Sequence, residues 1–146
     1  ELGCAKLVPL RTERSVAEPT AGARKRLHRA VIEACKQCGR NRLMEIAPAA
    51  DWPAFLASPS PQAWRRLAHP AAPSGEHNRQ VAAPRAENLP RPQPGDELVL
   101  AVGPEGGFTE AEIEAALAAE WRRVDLGPRI LRVETAAVAL LAGVCS

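Results

Sequence analysis

Residues 97–112 read ELVLAVGPEGGFTEAE, and this stretch decides the fold class. Its first part, 97–102, is a nearly continuous apolar run of the kind that forms a strand inside a parallel sheet. A glycine-rich turn follows at 103–107. Thr109 and Glu112 then have the spacing of a capping box, so we expect a helix that ends near Ala119. A strand, a loop and a capped helix in this order are one unit of an α/β fold.

The same order of elements recurs on both sides of this stretch. Downstream we predict a strand at 121–126, a break at Gly127 and Pro128, and a helix from Val133. That helix is apolar on all sides, so we expect it to be buried or covered by a partner subunit. Upstream, the sequence predicts a buried strand at 4–8, a helix at 23–38 that ends at Gly39, a short helix at 51–57 capped by Asp51, and a strand at 64–69. The pattern predicts an α/β fold with a mostly parallel sheet and helices on both faces.

The predicted helix at 23–38 carries the clearest division of apolar and basic residues. Leu27, Val31, Ala34 and Cys38 recur at helical spacing and form the expected core stripe. The cations of the helix, Arg24, Lys25, Arg26 and Arg29, fall mainly elsewhere. Cys35 and Cys38 have the spacing of a redox or metal motif. They lie near the C-terminal end of the helix, where the helix dipole disfavours a thiolate, and no second cysteine pair completes a zinc site. We therefore expect core packing for Cys38 and no metal site.

Composition restricts the class of protein. The 146 residues suffice for one domain, and aromatic residues are too scarce, at 3%, for a surface that stacks single-stranded bases. Residues 1–45 carry ten Lys or Arg against five Glu, so this part is net cationic and the remainder mildly acidic. Such an asymmetry suits a protein that meets a polyanion with one face, and a merely solvated surface explains it equally well.

Other features indicate the setting of the domain. Four cysteines are too few for a secreted disulfide scaffold, and the longest apolar run, 136–145, is too short to span a membrane, so we expect a cytoplasmic protein without membrane contact. Residues 70–94 hold six prolines and almost no aliphatic residues, which predicts a long irregular loop within the domain. The sequence starts at Glu1 in the middle of a pattern, which suggests a fragment that lacks an N-terminal portion.

The glycine turn at 103–107 follows a predicted strand, where open α/β sheets bind their ligands. Its spacing matches neither the P-loop nor the dinucleotide fingerprint. Glu105, Glu110 and Glu112 also place negative charge where a phosphate would lie. A ligand here should be neutral or cationic at this loop. The alternative reading is a tight turn with no ligand.

The second such loop, 126–135, reads LGPRILRVET. Two arginines flank an apolar pair, and Glu134 lies favourably at the start of the next helix. Ordinary helix capping and solvated arginines would explain this loop without any function.

Together, the GPEGGF turn at 103–108 and the stretch LGPRILRVETA at 126–136 resemble the SPOUT class of RNA methyltransferases. The nearest resemblance is to the family that methylates N3 of a uridine in 16S ribosomal RNA. Upstream, ELG at 1–3, TERS at 12–15, Gln37 and Arg40 are similar to that family, whereas about 50–95 are not. The resemblance implies an S-adenosylmethionine-dependent enzyme, a SPOUT domain over 1–146 with a C-terminal trefoil knot, a homodimer, and a separate N-terminal RNA-binding domain outside this fragment.

The resemblance also implies site residues. Glu105 would orient or deprotonate the uridine, and Arg129 and Arg132 would stabilise its anion or bind a phosphate. RNA contacts would come from Arg14, Gln37 and Arg40. Cofactor contacts would come from three segments, namely Leu67, Ala68 and His69, then Gly103, Pro104, Gly106 and Gly107, then Leu126, Gly127, Ile130 and Leu131. Two rival functions are a non-catalytic RNA-binding module with the same fold and a nucleotide-binding α/β enzyme, the latter disfavoured by the acidic turn.

Overall fold

The computed structural model describes residues 1–15, 20–69, 84, 90 and 92–145. Among these residues the chain forms seven short strands and four helices, with one or two strands before each helix. In order these are β1 (Lys6–Leu7), β2 (Leu10–Arg11), α1 (Ala21–Cys38), β3 (Glu45–Ile46), β4 (Ala50–Asp51), α2 (Trp52–Ala57), β5 (Trp64–Ala68), β6 (Leu98–Val102), α3 (Glu110–Ala118), β7 (Arg122–Val124) and α4 (Val133–Cys145). The predicted helices are all present, and their bounds shift by one or two residues.

A parallel three-stranded sheet with the order β6-β5-β7 forms the centre of the domain. All five residues of β5 pair with β6, from Trp64 with Leu98 to Ala68 with Val102. On the other edge, residues 66–68 pair with β7. Two smaller pairs, β1 with β3 and β2 with β4, are also parallel. The predicted α/β fold with a mostly parallel sheet is confirmed.

Helices cover both faces of this sheet, because alternate residues of a strand face opposite sides. Leu67 and Ala101 face α2 and α3, where Trp52, Phe55, Phe108 and Trp121 form an aromatic core. The ring centroids of Trp52 and Phe108 are 4.6 Å apart. Ala68, Leu100 and Val124 face the opposite side, where Leu140 and Val144 of α4 cover them.

The strand predicted at 4–8 is shorter and more exposed than expected. Only Lys6 and Leu7 pair, with β3 alone, and both side chains are exposed. Lys6 pairs with Glu45 across the ladder at 3.2 Å. The prediction of a buried strand was wrong because this segment has a partner on one edge only and lies outside the central sheet.

Helix α1 starts where the Thr20 hydroxyl accepts a hydrogen bond from the Ala23 amide, and it ends at Gly39, whose φ of 69° is left-handed. Its buried residues are Val31 and Cys35, which pack on Ile46 of β3. Leu27 is 38% exposed and Cys38 is exposed, so the predicted core stripe was right at Val31, half right at the half-buried Ala34, and wrong at Leu27 and Cys38. The reason is that β3 packs on the helix at Val31 and Cys35, and neither Leu27 nor Cys38 belongs to this cluster.

Helix α4 is buried on one side only. Ala136, Leu140 and Val144 face the sheet at intervals of four residues, whereas Val138 is 56% exposed. No helix in the described parts of the chain combines the length and apolarity that a membrane span needs. Most of the loop predicted at 70–94 lies outside the described residues, although the Pro84 carbonyl accepts a hydrogen bond from the Asp125 amide at 3.1 Å.

Candidate functional site

A cavity of about 320 Å³ opens where the carboxyl ends of β5, β6 and β7 meet. Strands β6 and β7 each contribute the loop that follows them, and β5 contributes its last residue, Ala68, together with His69. The N-terminal segment and the start of α4 complete the wall. The lining residues are Arg14, Ala68, His69, Val102, Gly103, Pro104, Glu105, Gly106, Gly107, Phe108, Leu126, Gly127, Arg129, Ile130, Leu131, Val133 and Ala136.

Most of the residues expected to bind a ligand therefore line one cavity. Ten of the eleven expected cofactor contacts do so, together with Glu105, Arg129 and Arg14. Leu67 does not, since it is fully buried in the aromatic core on the α2 and α3 side of the sheet. Its neighbours Ala68 and His69 form the wall instead, because the alternation of the strand and the end of the ladder direct them towards the cavity.

Three further expected residues lie away from the wall. Arg132 is exposed just before α4, and its carbonyl accepts the Ala136 amide at 2.8 Å. Gln37 is exposed on α1. Arg40 donates to the carbonyls of Cys4 and Gly3 at 2.7 and 3.2 Å, so it secures the N-terminal segment.

Four wall residues were not predicted from the sequence, namely Val102, Phe108, Val133 and Ala136. Val102 and Phe108 directly precede and follow the glycine turn in sequence. Because the turn was expected to contact the ligand, its two neighbours could have been expected to line the same cavity. Val133 and Ala136 lie three residues apart in the first turn of α4 and so share a helix face. That face could have been assigned only once the helix was known to start at the cavity.

The glycine turn is shaped by two close approaches. Gly107 has a φ of 69°, and its amide donates to the Pro104 carbonyl at 2.8 Å. A Cβ at Gly103 would lie 3.0 Å from the Phe108 ring, so the backbone there passes against a buried aromatic side chain. Glycine at both positions gives the turn a path that a larger residue would alter.

The N-terminal segment is attached to this turn by two hydrogen bonds. Arg14 donates from Nη1 to the Gly106 carbonyl at 2.8 Å. The Glu13 amide donates to Oε1 of Glu112 at 2.8 Å. The other oxygen of Glu112 accepts the Thr109 amide at 2.9 Å, which completes the predicted capping box. Arg14 thus holds the glycine turn as well as lining the cavity.

The second loop bends at Gly127, whose φ is 105° and whose amide donates to Oδ1 of Asp125 at 2.9 Å. Beyond the bend, Ile130 is 96% exposed at the rim of the cavity. Arg129 and Arg132 are exposed on either side of it. Among the residues that the structure describes, no carboxylate lies within ion-pair distance of Arg129 or Arg132.

The wall of the cavity is largely apolar or neutral. Burial lowers the pKa of His69 below its usual 6.5, and the nearby Arg123 lowers it further. The imidazole is therefore neutral at physiological pH. In the described part of the chain, no group of three or more His, Cys, Asp or Glu residues could hold a metal ion.

We predict that His69 makes stability depend on pH near neutrality. Its lowered pKa means that, as the pH falls below 6.5, the unfolded chain takes up a proton that the folded chain resists. The free energy of unfolding should therefore decrease between about pH 7 and about pH 5.5, above the range in which ordinary carboxylates titrate. Urea unfolding at both pH values measures this loss, which should be smaller in His69→Asn. His28→Asn, a change at an exposed histidine, is the control, and an equal loss in all three proteins would contradict the prediction.

Comparison with known proteins places this geometry in a family. The sequence model of an RNA methyltransferase domain matches residues 1–144. Over 97% of the chain, 36% of residues are identical to the ribosomal RNA small subunit methyltransferase E of Synechocystis sp., of which the match covers 45%. A shorter match, 46% identical over 50 residues, is to the protein of the same name from Bacillus subtilis and covers 34% of the chain and 20% of that protein.

Solved structures share the fold. A ribosomal RNA small subunit methyltransferase E from Neisseria gonorrhoeae, bound to S-adenosylmethionine, aligns with a TM-score of 0.79 at 32% identity, over 97% of this chain and 54% of that one. A methyltransferase from Legionella pneumophila in complex with the same cofactor aligns at 0.78 and 30% identity, over 97% and 55%. The chain thus spans about half the length of these relatives. Since the family model covers nearly the whole sequence and confirms the resemblance of the two loops, the chain belongs to the RNA methyltransferase domain family.

Proposed function

We propose that residues 1–146 form one SPOUT-type domain that transfers a methyl group from S-adenosylmethionine to N3 of a uridine in the 16S RNA of the small ribosomal subunit. One observation carries this proposal. The two loops that resemble the family, which lie about twenty residues apart in sequence, together with the end of β5 enclose a single cavity. Relatives named as small-subunit methyltransferases, one of them solved with the cofactor, support it. A ribosomal substrate also favours the cytoplasm as its location.

The residues of the cavity fit this cofactor. Its volume lies within the ~300–1,000 Å³ usual for small-molecule sites. Apolar side chains can pack against the flat adenine ring. The backbone amides and carbonyls of the glycine turn can form hydrogen bonds with the edges of that ring. S-adenosylmethionine supplies an electrophilic methyl on a sulfonium. The carboxylate of Glu105 can face that positive charge, whereas the two cations of the wall are directed elsewhere: Arg14 donates to the Gly106 carbonyl, and Arg129 is exposed.

The residues of the chain must also prepare the uridine. N3 carries a proton that has to leave before the nitrogen becomes nucleophilic. Glu105 and Arg129 line the same cavity, so a base held there can meet a carboxylate that orients or deprotonates it and a guanidinium that stabilises its anion. Arg132, outside the wall, is suited to a neighbouring phosphate. We propose further RNA contacts for Gln37, Arg14 and Arg40. The two arginines would contact RNA through the guanidinium N–H groups that do not already donate to backbone carbonyls of the chain.

Two finer features of the family belong to this proposal. We propose that the C-terminal part, including 126–145, is threaded as a trefoil knot, in keeping with the fold similarity to solved methyltransferases. We also propose a homodimer that covers the outer side of α4. That side is apolar, and Val138 on it is 56% exposed.

The cofactor assignment predicts selective binding. Calorimetry should show that the chain binds S-adenosylhomocysteine, and that neither ATP nor NAD competes, because the glycine turn lacks the P-loop and dinucleotide spacings and carries Glu105. Gly106→Val should weaken this binding at least tenfold. A Cβ at 106 would already lie 3.2 Å from Cβ of Arg14, and the larger valine side chain would displace the turn, since overpacking of this kind costs ~1–3 kcal/mol. Gly22→Val is the matched control, since a Cβ there meets nothing closer than 3.9 Å. Competition by ATP would contradict the assignment.

The catalytic assignment predicts that Arg132 acts on the RNA and not on the cofactor. Arg132→Ala should lower methylation of small ribosomal subunits about ten- to a hundred-fold, since losing a charged hydrogen bond costs ~1.5–3 kcal/mol. Its affinity for S-adenosylhomocysteine should stay nearly unchanged. Arg122→Ala, a change at an exposed arginine of β7, is the control. Glu105→Gln should lower both the methylation of small ribosomal subunits and the affinity for S-adenosylhomocysteine.

Mapping the modified nucleotide in the same assay tests the function itself. A methyl group on N3 of a uridine is the expected product. Cofactor binding without any methyl transfer would instead favour a non-catalytic RNA-binding module. Parallel loss of cofactor binding and activity in Arg132→Ala would show that this arginine only braces its loop.

The dimer proposal predicts a mass of two chains in light scattering at micromolar concentration. Val138→Glu should shift the protein to monomers, because a carboxylate cannot be buried cheaply in an apolar interface. Ile32→Glu is the matched control, since Ile32 is an exposed apolar residue of α1. A monomeric wild-type chain would refute the dimer.

A further inference from the structure

The first half of α1 carries a dense group of cations that serves no purpose within the fold. The four cations Arg24, Lys25, Arg26 and Arg29 lie within six residues, and we name them the α1 basic patch. Between Thr20 and Ile32 the sequence has no acidic residue. Within the described ranges, no member of the patch forms an ion pair. By contrast, Lys36 in the second half of the helix pairs with Glu33 at 3.2 Å.

The patch also contributes nothing to the core. None of residues 21–30 is buried, although Arg24 is half-buried, and the buried residues of the helix are Val31 and Cys35. At 100° per residue, Lys25, Arg26 and Arg29 lie on the side of the helix that faces away from these two. All three side chains are exposed, so their charged ends point into solvent.

Local energetics disfavour this arrangement. Lys25 and Arg29 are four residues apart, and Arg26 and Arg29 are three apart, so like charges repel along the helix. The patch also lies towards the positive end of the helix dipole, and the first turn contains no acidic residue to offset it. A helix built only for folding would place its cations at the other end. The unfavourable placement indicates a use outside the chain.

We propose that the α1 basic patch is a contact surface for the phosphate backbone of the RNA, separate from the cavity that takes the target base. This proposal rests on the RNA substrate of the proposed function. The patch lacks the aromatic side chains that would stack bases, so it should bind by charge and without sequence preference. Helix α1 follows closely after Arg14, which lines the cavity, so one RNA can meet both regions.

The test compares two variants of equal charge change by measuring their affinity for a short RNA hairpin over a series of salt concentrations. The first, K25Q/R26Q/R29Q, removes the outward cations of the patch. The second, K6Q/R42Q/R122Q, removes three exposed cations elsewhere. Each lost phosphate contact should reduce the salt slope by ~0.7–0.9, so the patch variant should lose about two in slope and about tenfold in affinity at moderate salt. The control should stay close to wild type.

Thermal unfolding and cofactor binding separate this proposal from its alternatives. The patch variant should unfold at the same temperature as wild type or a higher one, because repulsion is relieved, and it should bind S-adenosylhomocysteine unchanged. Equal loss of RNA affinity in both triple variants would overturn the patch while leaving the proposed function intact. A lower unfolding temperature in the patch variant would show that the cations serve the fold. A wild-type chain that binds no RNA would overturn both proposals.

Discussion

The parallel pairing of β5 with both β6 and β7 is the constraint from which the site follows. Parallel neighbours point their carboxyl ends to one edge, so the loops that leave β6 and β7 meet the end of β5 there. The same pairing buries β5 on both faces and requires helices above and below it. Of these helices, α3 carries the chain from the end of β6 back to the start of β7. Residues from distant parts of the sequence thereby enclose one volume.

Burying β5 has a cost, because it contains two arginines. Arg65 is held by the carbonyls of Ser60 and Ala119 at 2.8 and 3.0 Å and by Glu120 at 3.3 Å. Arg66 is 4% exposed, with its guanidinium 5.0 Å from the centre of the Trp64 ring, and burial lowers its pKa. These contacts offset part of the hydration that each cation loses, although Nε of Arg65 is buried without a hydrogen-bond partner among the described residues. They also explain why the sequence signal for this strand is weak, since two adjacent arginines interrupt the apolar pattern of a central strand.

Features set by neighbouring residues could be predicted from the sequence, whereas those set by distant contacts could not. The capping box of Thr109 and Glu112 and the left-handed Gly39 depend on local backbone geometry, and both are confirmed. The buried stripe of α1 depends on where β3 meets the helix, so periodicity alone selected Cys38 where the structure buries Cys35. The family resemblance implied Leu67 at the cavity, but the face that a strand residue presents depends on the pairing with its neighbours, and Leu67 faces the aromatic core. The link from Arg14 to Gly106 spans 92 residues and has no local signal at all.

Glu112 shows how a local motif acquires a second role once the chain is folded. One carboxylate oxygen accepts the Thr109 amide of its own helix, and the other accepts the amide of Glu13. The capping box therefore fixes the start of α3 and anchors the N-terminal segment beside the glycine turn. Arg14, the next residue, then reaches the Gly106 carbonyl, and α1 with its basic patch follows. The start of α3 and the position of Arg14 at the cavity are thus coupled through one carboxylate, so a change at Glu112 would disturb the helix cap and the N-terminal segment together.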